Sequence, residues 1–256
     1  MGPAYETELD EWAQATDRVT LSDGDVHIWR MDLNAPERDI ERLRALLSQD
    51  EHARAKRFVR PIHARRFIAA HGALRLVLAN CLRIDPKSIE FQKNEHGKPH
   101  LVQETAITFN LSHSGDLALI GVTEGRAIGV DLERFRERLE MDKIAKRHFS
   151  AGEVAKLFSL SKDTLREAAF YDCWTRKEAY IKARGEGLSL GLDRFDVAFG
   201  PGESPALLRS DEGADELNRW TFVDIRVRPR YAAACVVEGR IRELHYWDAA
   251  DRITTE

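Results

Sequence analysis

Three acidic residues and one lysine have the types and the spacing to hold a divalent cation beside a basic group. Asp131 and Glu133 alternate with apolar residues in the stretch AIGVDLE, which is the period of a β-strand, so both carboxylates point to one face. Glu178 and Lys182 are four residues apart in FYDCWTRKEAYIKARGEGL, so they share a face of a predicted helix. Carboxylates are hard oxygen ligands, which suit Mg²⁺ or Mn²⁺ better than Zn²⁺.

Two structural interpretations compete with a metal site on this pattern alone. The pair Glu178 and Lys182 also fits an exposed ion pair on a helix surface, an interaction that is common and weak. Asp131 and Glu133 also fit the solvated end of a strand. The spacing does not choose between these interpretations and a shared cation.

A long helix must carry Glu178 and Lys182. Thr164 followed by Glu167 predicts a capping box at the start of the helix, and Gly185 predicts its end. Phe170 and Trp174 mark the side of the helix that packs into a core. Trp174 lies four residues before Glu178, so the predicted site adjoins an aromatic anchor.

A second long helix, rich in basic residues, precedes this one. Ser48 with Glu51 predicts a capped helix, and Pro61 predicts the first position of a long helix that runs to about Leu82. The basic residues between Arg54 and Arg75 are the one strongly positive stretch of the chain. They fit either a solvated helix face or a surface that binds an anion.

Two short stretches between the helices could contact phosphate. NEHGKP has the composition of a turn and contains Lys98, and ITFNLS alternates as a strand that ends in Ser112 and His113. Small hydroxyl groups beside a glycine can hold a phosphate through backbone N–H groups, but they equally fit an ordinary turn. Residues 124–126 predict a hairpin turn between strands over Leu117–Val122 and Ala127–Leu132.

A weak internal repeat predicts the fold class. ARRFIAAHGALRLVLANCLRI and AAFYDCWTRKEAYIKARGEGL share a phased long helix, which is followed in each case by a loop and a strand. We therefore expect an α/β (α+β) fold with a pseudo-twofold arrangement of two similar subdomains, 1–126 and 127–256. Each is expected to be a long helix packed on a small, mainly antiparallel sheet, and the duplication favours a monomer with one site.

The composition limits the classes of function. The chain of 256 residues has 39 basic and 43 acidic residues, for a net charge of −4, so nothing indicates nucleic-acid binding. No run of about 18 apolar residues is present, and the acidic beginning Met1–Asp10 lacks an apolar core, so we expect no membrane span and no secretory signal. The three cysteines are far apart in apolar runs and predict buried thiols of a cytoplasmic protein.

Four motifs together suggest a family. NEHGKP, FNLSHS, IGVDLE and FYDCWTRKEAYIKARGEGLSL, in this order and at these separations, resemble the 4′-phosphopantetheinyl transferases of the surfactin-synthetase-activating (Sfp) type. The resemblance runs from about Glu51 to Val197, with a tail to Trp247. VDLE and WTRKEAYIKARGEG at this spacing are highly specific, whereas the GKP and SHS elements alone are weak.

The resemblance implies an enzyme that moves the phosphopantetheine arm of coenzyme A to a serine of an apo acyl or peptidyl carrier protein. Asp131, Glu133 and Glu178 match the Mg²⁺ ligands of the family, and Mn²⁺ would also suit them. Lys182 matches a lysine beside the pyrophosphate. The carrier serine needs a base, and we assign that role to Glu178, acting directly or through a water, with Lys182 orienting.

The resemblance also implies which residues hold coenzyme A, the co-substrate. The positions that match are basic or hydroxyl-bearing: Arg54, Arg66, Lys98, Ser112, His113 and Lys182. Glu51 departs from the pattern, because some relatives have a lysine there. That departure puts the grip on the 3′-phosphate from this side in doubt.

The carrier protein must dock beside the metal site, and we expect the charged and apolar stretch Phe135–Phe158 to receive it. Carrier proteins are usually acidic around their serine, so Lys143, Lys146 and Arg147 could meet them. The alternatives are a non-catalytic coenzyme A-binding regulatory module and a Mg²⁺-dependent phosphatase or nuclease. The intact acids and Lys182 argue against the first, and the lack of a basic surface argues against the second.

Overall fold

The computed structural model describes residues 10–14 and 19–249, which form two compact units. The C-terminal unit consists of Asp10, Asn94–Lys98 and Arg126–Ile241. The N-terminal unit consists of residues 11–14, 19–93, 99–125 and 242–249. The predicted subdomains 1–126 and 127–256 and their pseudo-twofold relation stay predictions, and each unit is described by itself below.

The described residues form a mixed set of helices and strands, as the α/β fold class requires. The helices are α1 (Glu37–Arg44), α2 (Gln49–Lys56), α3 (Pro61–Leu82), α4 (Met141–His148), α5 (Ala151–Ser159), α6 (Asp163–Arg184) and α7 (Asp215–Arg219). The strands are β1 (Ala13–Gln14), β2 (Asp25–Asp32), β3 (Phe91–Lys93), β4 (Pro99–Leu101), β5 (Ile107–Ser114), β6 (Leu117–Glu124), β7 (Ile128–Arg134), β8 (Phe195–Val197), β9 (Leu207–Ser210), β10 (Trp220–Asp224), β11 (Tyr231–Glu238) and β12 (Glu243–Asp248).

The N-terminal unit packs the 22-residue helix α3 against a five-stranded sheet of order β1-β12-β2-β6-β5. The strand pairs β1–β12 and β12–β2 are parallel, while β2–β6 and β6–β5 are antiparallel. This sheet is mixed: its longer ladders, β2–β6 and β6–β5, are antiparallel, in keeping with the expected mainly antiparallel sheet. The parallel pairs come from β12, whose pairing with the distant strand β2 leaves no local signal in the sequence.

The C-terminal unit packs the 22-residue helix α6 against an antiparallel three-stranded sheet of order β10-β11-β7. Its core contains the apolar side of α6, including Phe170, Tyr180 and Ile181. Trp174 is half-buried and stacks on Phe170, with their ring centroids 6.2 Å apart. A long helix on a small antiparallel sheet is what the sequence predicts here.

The helix ends test the capping predictions. Ser48 with Glu51 forms a complete capping box at α2, and Pro61 is the first residue of α3. The predicted box of Thr164 with Glu167 is wrong, because α6 begins at Asp163, which places Thr164 inside its first turn. The end of α6 is as predicted: Gly185 follows it with φ = 73°, the left-handed conformation that glycine adopts most easily.

Residues 124–126 form a turn with Gly125 at φ = 65°, but they do not join a hairpin. β6 pairs with β2 and β5, whereas β7 pairs with β11, so the predicted partnership of β6 with β7 is wrong. The predicted buried thiols are confirmed for Cys173 and Cys235, while Cys81 is half-buried. Within 10–14 and 19–249, no helix combines the length and the hydropathy needed to cross a bilayer.

Candidate functional site

The site begins with a close approach of β7 to α6. A Cβ atom built on Gly129 of β7 would lie well under 3.0 Å from the carbonyl oxygen of Ala179 and the backbone nitrogen of Ala183, both in α6. Real Cβ atoms essentially never come that close. Only glycine therefore permits the two backbones to touch, and the face of β7 that carries Gly129 is the face toward α6.

The two acids of β7 lie on this same face, because alternate residues of a strand share a face. Asp131 is 4% exposed, so its carboxylate is buried against the helix. Its Oδ1 accepts a hydrogen bond from Lys182 Nζ at 2.5 Å. Glu133 is half-buried, and its Oε2 lies 3.7 Å from a guanidinium nitrogen of Arg136. The strand and the helix thus bring an acid and a base together.

Glu178 of α6 is the third acid, and its pKa shows the influence of the charges of Asp131, Glu133 and Lys182. The pKa of Glu178 is raised from 4.5 to about 7, chiefly by burial and then by the negative charge of Asp131; Glu133 contributes in the same direction, and the Lys182 ammonium opposes the shift. These interactions require the three carboxylates to be neighbours, since charge effects weaken with distance and solvent screening. A site that gathers negative charge in this way favours a divalent cation.

The three acids are neighbours, but their oxygens are not close enough together to coordinate one ion as they stand. Their ligand oxygens do not all lie within 4.8 Å of one another, and among the residues described by the structure the one group that meets this distance is Asp25, His27 and His245. Lys182 is the positive partner of Asp131 here. The hard oxygen donors fit Mg²⁺ or Mn²⁺ in chemical type, and at least one of the three side chains would have to reorient for all three to share one ion.

The group of Asp25, His27 and His245 belongs to the N-terminal unit, where β2 and β12 pair in parallel. Trp247 Nε1 donates to His27 Nδ1 at 3.0 Å, so the neutral His27 ring carries its proton on Nε2. A histidine binds a metal through a ring nitrogen whose lone pair is available. In His27 the Nδ1 lone pair accepts the bond from Trp247 and Nε2 carries the proton, so this ring is a poor metal ligand. His27 and His245 also stack, with ring centroids 4.4 Å apart, which is a poor arrangement for two nitrogens to face one ion.

Lys98 lies in the C-terminal unit with its ammonium group bonded to the protein. Nζ donates to the carbonyl oxygens of Ile128 at 3.0 Å and Ala183 at 3.2 Å. Burial lowers the pKa of Lys98 from 10.5 to about 8. Its predicted contact with the phosphates of coenzyme A stays a prediction.

The basic stretch of the N-terminal unit divides into two kinds of residue. Arg54 is exposed, with its guanidinium 5.0 Å from the ring centroid of Phe67, and Arg66 is half-buried, with Nη2 3.5 Å from Asn34 Oδ1. Arg75 is 1% exposed and is therefore no part of a solvated or anion-binding face, against both interpretations of the sequence. It bonds to Glu51, which explains the departure at that position.

Glu51 is a structural residue of the N-terminal unit. Its carboxylate accepts from Arg75 Nε at 2.8 Å and lies 2.9 Å from His71 Nδ1. These partners and the Ser48 backbone hold the pKa of Glu51 at about 2, although burial opposes that shift. Glu51 therefore joins α2 to α3, and a lysine at this position would leave Arg75 buried without its counter-charge.

Ser112 and His113 are part of β5, so the possibility that they form a turn is wrong. Because successive side chains of a strand alternate, Ser112 is buried on one face and His113 is exposed on the other. β5 is an edge strand of its sheet. A common role for the two side chains at phosphate stays a prediction.

Two residues that shape the site escaped the sequence reasoning. Gly129 permits the contact of β7 with α6, and Asn94 Nδ2 donates to the Gly185 carbonyl oxygen at 2.9 Å. A glycine inside a strand signals a close backbone approach or a bulge, and this signal was available in the sequence. Asn94 gave no such signal, because asparagine is expected in any turn.

Comparisons with known proteins show the family of the chain. The sequence-family model of the 4′-phosphopantetheinyl transferase superfamily matches residues 127–236. The sequence-family model of the 4′-phosphopantetheinyl transferase N-terminal region matches residues 34–124. The 4′-phosphopantetheinyl transferase HetI of Nostoc sp. is 37% identical over 239 residues, 92% of this chain and 97% of that protein. The 4′-phosphopantetheinyl transferase Sfp of Bacillus subtilis is 32% identical over 65% of this chain and 73% of that protein. A crystal structure of Thermotoga maritima holo-[acyl-carrier-protein] synthase (AcpS) matches with TM-score 0.35 and 23% identity, over 44% of this chain and 63% of that one.

Proposed function

The chain belongs to the 4′-phosphopantetheinyl transferase superfamily, and we propose how its own residues carry out the reaction of that family. The enzyme transfers the 4′-phosphopantetheine arm of coenzyme A to a serine of an apo carrier protein, and the products are holo carrier protein and 3′,5′-ADP. The observation that supports the residue assignments best is the raised pKa of Glu178, to which Asp131 and Glu133 contribute.

We propose that the enzyme is of the Sfp type. The four motifs quoted above and the identity of 32% with Sfp of Bacillus subtilis support this assignment. A monomer is the corresponding proposal for the oligomeric state, because the internal repeat provides two similar halves within one chain.

Asp131, Glu133 and Glu178 are proposed to hold Mg²⁺, with Mn²⁺ as a substitute. When bound, the cation supplies positive charge for the pyrophosphate of coenzyme A, from which the leaving 3′,5′-ADP departs. The protein's contribution is the position of the acids: two come from one face of β7, and the third comes from the helix that β7 touches at Gly129. Neighbouring negative charges repel one another, and a bound cation would relieve the repulsion between these three carboxylates.

Glu178 is proposed as the base for the carrier serine, directly or through a water. The serine oxygen attacks the phosphorus that bears the pantetheine arm, the P–O bond to 3′,5′-ADP breaks, and the serine proton passes to Glu178. Without the cation, burial and the neighbouring acids raise the pKa of Glu178 to about 7. A bound cation would lower this pKa, so that the carboxylate is unprotonated and able to accept a proton near neutral pH. Lys182 Nζ, held by Asp131, offers positive charge to the pyrophosphate and orients it.

The remaining contacts to coenzyme A are proposed for the N-terminal unit. Arg54, Arg66, Ser112 and His113 would contact its phosphates, as the resemblance implies. Arg54 is exposed and can reach an anion in solvent, and His113 is exposed as well. Arg75 is left out of this set because it is buried and bonded to Glu51.

The carrier protein is proposed to dock on Phe135–Phe158. Lys146 and Arg147 of α4 are exposed there, and the Lys146 ammonium lies 5.3 Å from the ring centroid of Phe158. A cavity of about 510 Å³ at the start of this stretch is lined by Arg134, Phe135, Arg136, Glu137 and Arg230. Three arginines around one aromatic ring suit an acidic partner.

Exchange of the charges on α4 tests this surface. A variant with both Lys146→Glu and Arg147→Glu should raise the KM for the carrier at least tenfold, because it repels an acidic partner, and should leave the KM for coenzyme A unchanged. Arg240→Glu, at an exposed position outside the stretch, is the matched control. Unaltered carrier kinetics in the double variant would exclude this docking surface.

The activity itself is tested by mass spectrometry. Incubation with Mg²⁺, coenzyme A and a panel of apo acyl and peptidyl carrier proteins should add about 340 Da, the mass of the arm, to the carrier serine. The alternative, a non-catalytic coenzyme A-binding regulatory module, predicts binding of coenzyme A without any change in carrier mass. If the mass of every carrier in the panel stays unchanged, the result would contradict the transferase activity.

A further inference from the structure

We propose that the turn Asn94–Lys98 is a positioning element of the metal site. It binds both elements that carry the site at the point where they cross, and so sets the distance of Asp131 and Glu133 from Glu178 and Lys182. The proposal rests on the proposed function for the identity of the site, while the contacts that carry it are those of the turn itself.

Hydrogen bonds within the turn fix its shape, apart from any contact with α6. Asn94 Oδ1 accepts hydrogen bonds from the backbone nitrogens of His96 at 3.0 Å and Lys98 at 2.8 Å, and Asn94 N donates to Lys98 O at 3.0 Å. Gly97 has φ = 86°, which few other residues adopt. These bonds fix the Asn94 amide, so its Nδ2 group has one direction in which to donate.

That direction is the C-terminal end of α6. Asn94 Nδ2 donates to Gly185 O at 2.9 Å, and Lys98 Nζ donates to Ala183 O at 3.2 Å. The last carbonyl groups of a helix have no partner within the helix and carry partial negative charge, so an amide donor and a cation both stabilise this end. A Cβ on Gly185 would lie 3.2 Å from Lys98 Cδ, which shows how closely the turn packs.

The same ammonium group also reaches the strand. Lys98 Nζ donates to Ile128 O at 3.0 Å, in the peptide that immediately precedes Gly129. Gly129 is the residue at which β7 touches the backbone of α6, next to Ala183. One side chain therefore bonds to both backbones at their crossing, one residue from Lys182 on the helix and three from Asp131 on the strand.

The position of Lys98 separates this role from that of an ordinary phosphate-binding lysine. Its ammonium is largely withdrawn from water, and burial lowers the pKa of Lys98 to about 8. The two carbonyl oxygens compensate in part for that desolvation. Loss of the turn's bonds would release the last turn of α6 and would alter the spacing of the acids without removing any metal ligand.

Asn94→Asp tests the bond to the helix selectively. The carboxylate keeps an Oδ1 acceptor for His96 and Lys98, but it places an oxygen instead of Nδ2 against the Gly185 carbonyl, at the negative end of α6. We expect the Kd for Mn²⁺ of the metal-free protein to rise about 10–100-fold and kcat to fall by a similar factor, with the KM for coenzyme A unchanged. Lys98→Met should raise the Kd for Mn²⁺ in the same way.

The controls separate the possible failures. Asn218→Asp adds the same charge at an exposed position of α7 and should behave as the wild type, and melting curves show that each variant is folded at the assay temperature. Wild-type Kd for Mn²⁺ and wild-type kcat in both Asn94→Asp and Lys98→Met would overturn the positioning role. A raised KM for coenzyme A with unchanged Mn²⁺ affinity would also overturn it. Absence of Mn²⁺ binding in the wild type would instead contradict the proposed metal site.

Discussion

Glu178→Gln should lower the turnover of the carrier by about 10²–10⁴-fold, the usual contribution of a positioned general base. The amide keeps the shape of the side chain but can neither accept the serine proton nor bring a negative charge to the cation. The assay is transfer of the arm to an apo carrier at saturating coenzyme A. Glu104→Gln, at an exposed position of the N-terminal unit, should keep wild-type turnover.

The same variant makes a prediction about stability and pH that does not depend on turnover. The folded-state pKa of Glu178 is raised from 4.5 to about 7, so the folded protein holds this proton more tightly than the unfolded chain does. In the wild type, the free energy of unfolding therefore falls as pH rises from about 4.5 to about 7, and the loss is complete above that range. Glu178→Gln removes this loss.

Unfolding by urea in the presence of EDTA measures this difference. We expect Glu178→Gln to match the wild type below pH 4.5 and to be the more stable protein at pH 8. Wild-type stability that does not change across this range relative to the variant would mean that burial and the neighbouring acids do not raise the pKa of Glu178. Turnover that survives the substitution would remove Glu178 from the catalytic assignment.

Gly129→Ala should be among the most destabilising single substitutions in the chain. The new Cβ would overlap the backbone of α6 at Ala179 and Ala183, and backbone atoms cannot rotate aside as the end of a side chain can. Overpacking of this kind costs about 1–3 kcal/mol, occasionally more, and we expect a loss at or above the upper end. Activity should fall as well, because α6 must move away from β7.

The matched control is Gly152→Ala in α5. The nearest atom to a Cβ there is Ser150 Oγ at 3.8 Å, so the added methyl group has room. Alanine is a better helix former than glycine, and this variant should gain roughly 0.5–1 kcal/mol of stability. Equal melting midpoints for Gly129→Ala and the wild type would show that β7 and α6 do not touch.

The elements that carry the acids were predictable because local patterns specify them. Alternation over 127–133 placed Asp131 and Glu133 on one face, and a spacing of four residues placed Glu178 beside Lys182. The end of α6 at Gly185 followed from the conformation that only glycine adopts easily. The start of α6 was misjudged, since the helix begins without a side-chain cap at Lys162.

The contacts that join distant parts of the chain were not predictable. Nothing local indicates that β12 pairs with β2, that Arg75 is buried against Glu51, or that Lys98 bonds to Ala183. Each depends on a partner that is chosen only when the chain packs. The basic stretch shows the consequence, because its arginines look alike in the sequence and divide into exposed and buried residues only in the fold.

Convergence of Asp131, Glu133 and Glu178 on one divalent ion is the central claim, and a Mn²⁺ titration followed by electron paramagnetic resonance tests it most directly. We predict one Mn²⁺ per chain for the wild type and an affinity at least about tenfold weaker for each of Asp131→Asn, Glu133→Gln and Glu178→Gln. Asp25→Asn, in the other group of metal-type side chains, should bind as the wild type does. Wild-type affinity in all three acid variants, or loss of the ion only in Asp25→Asn, would contradict the claim.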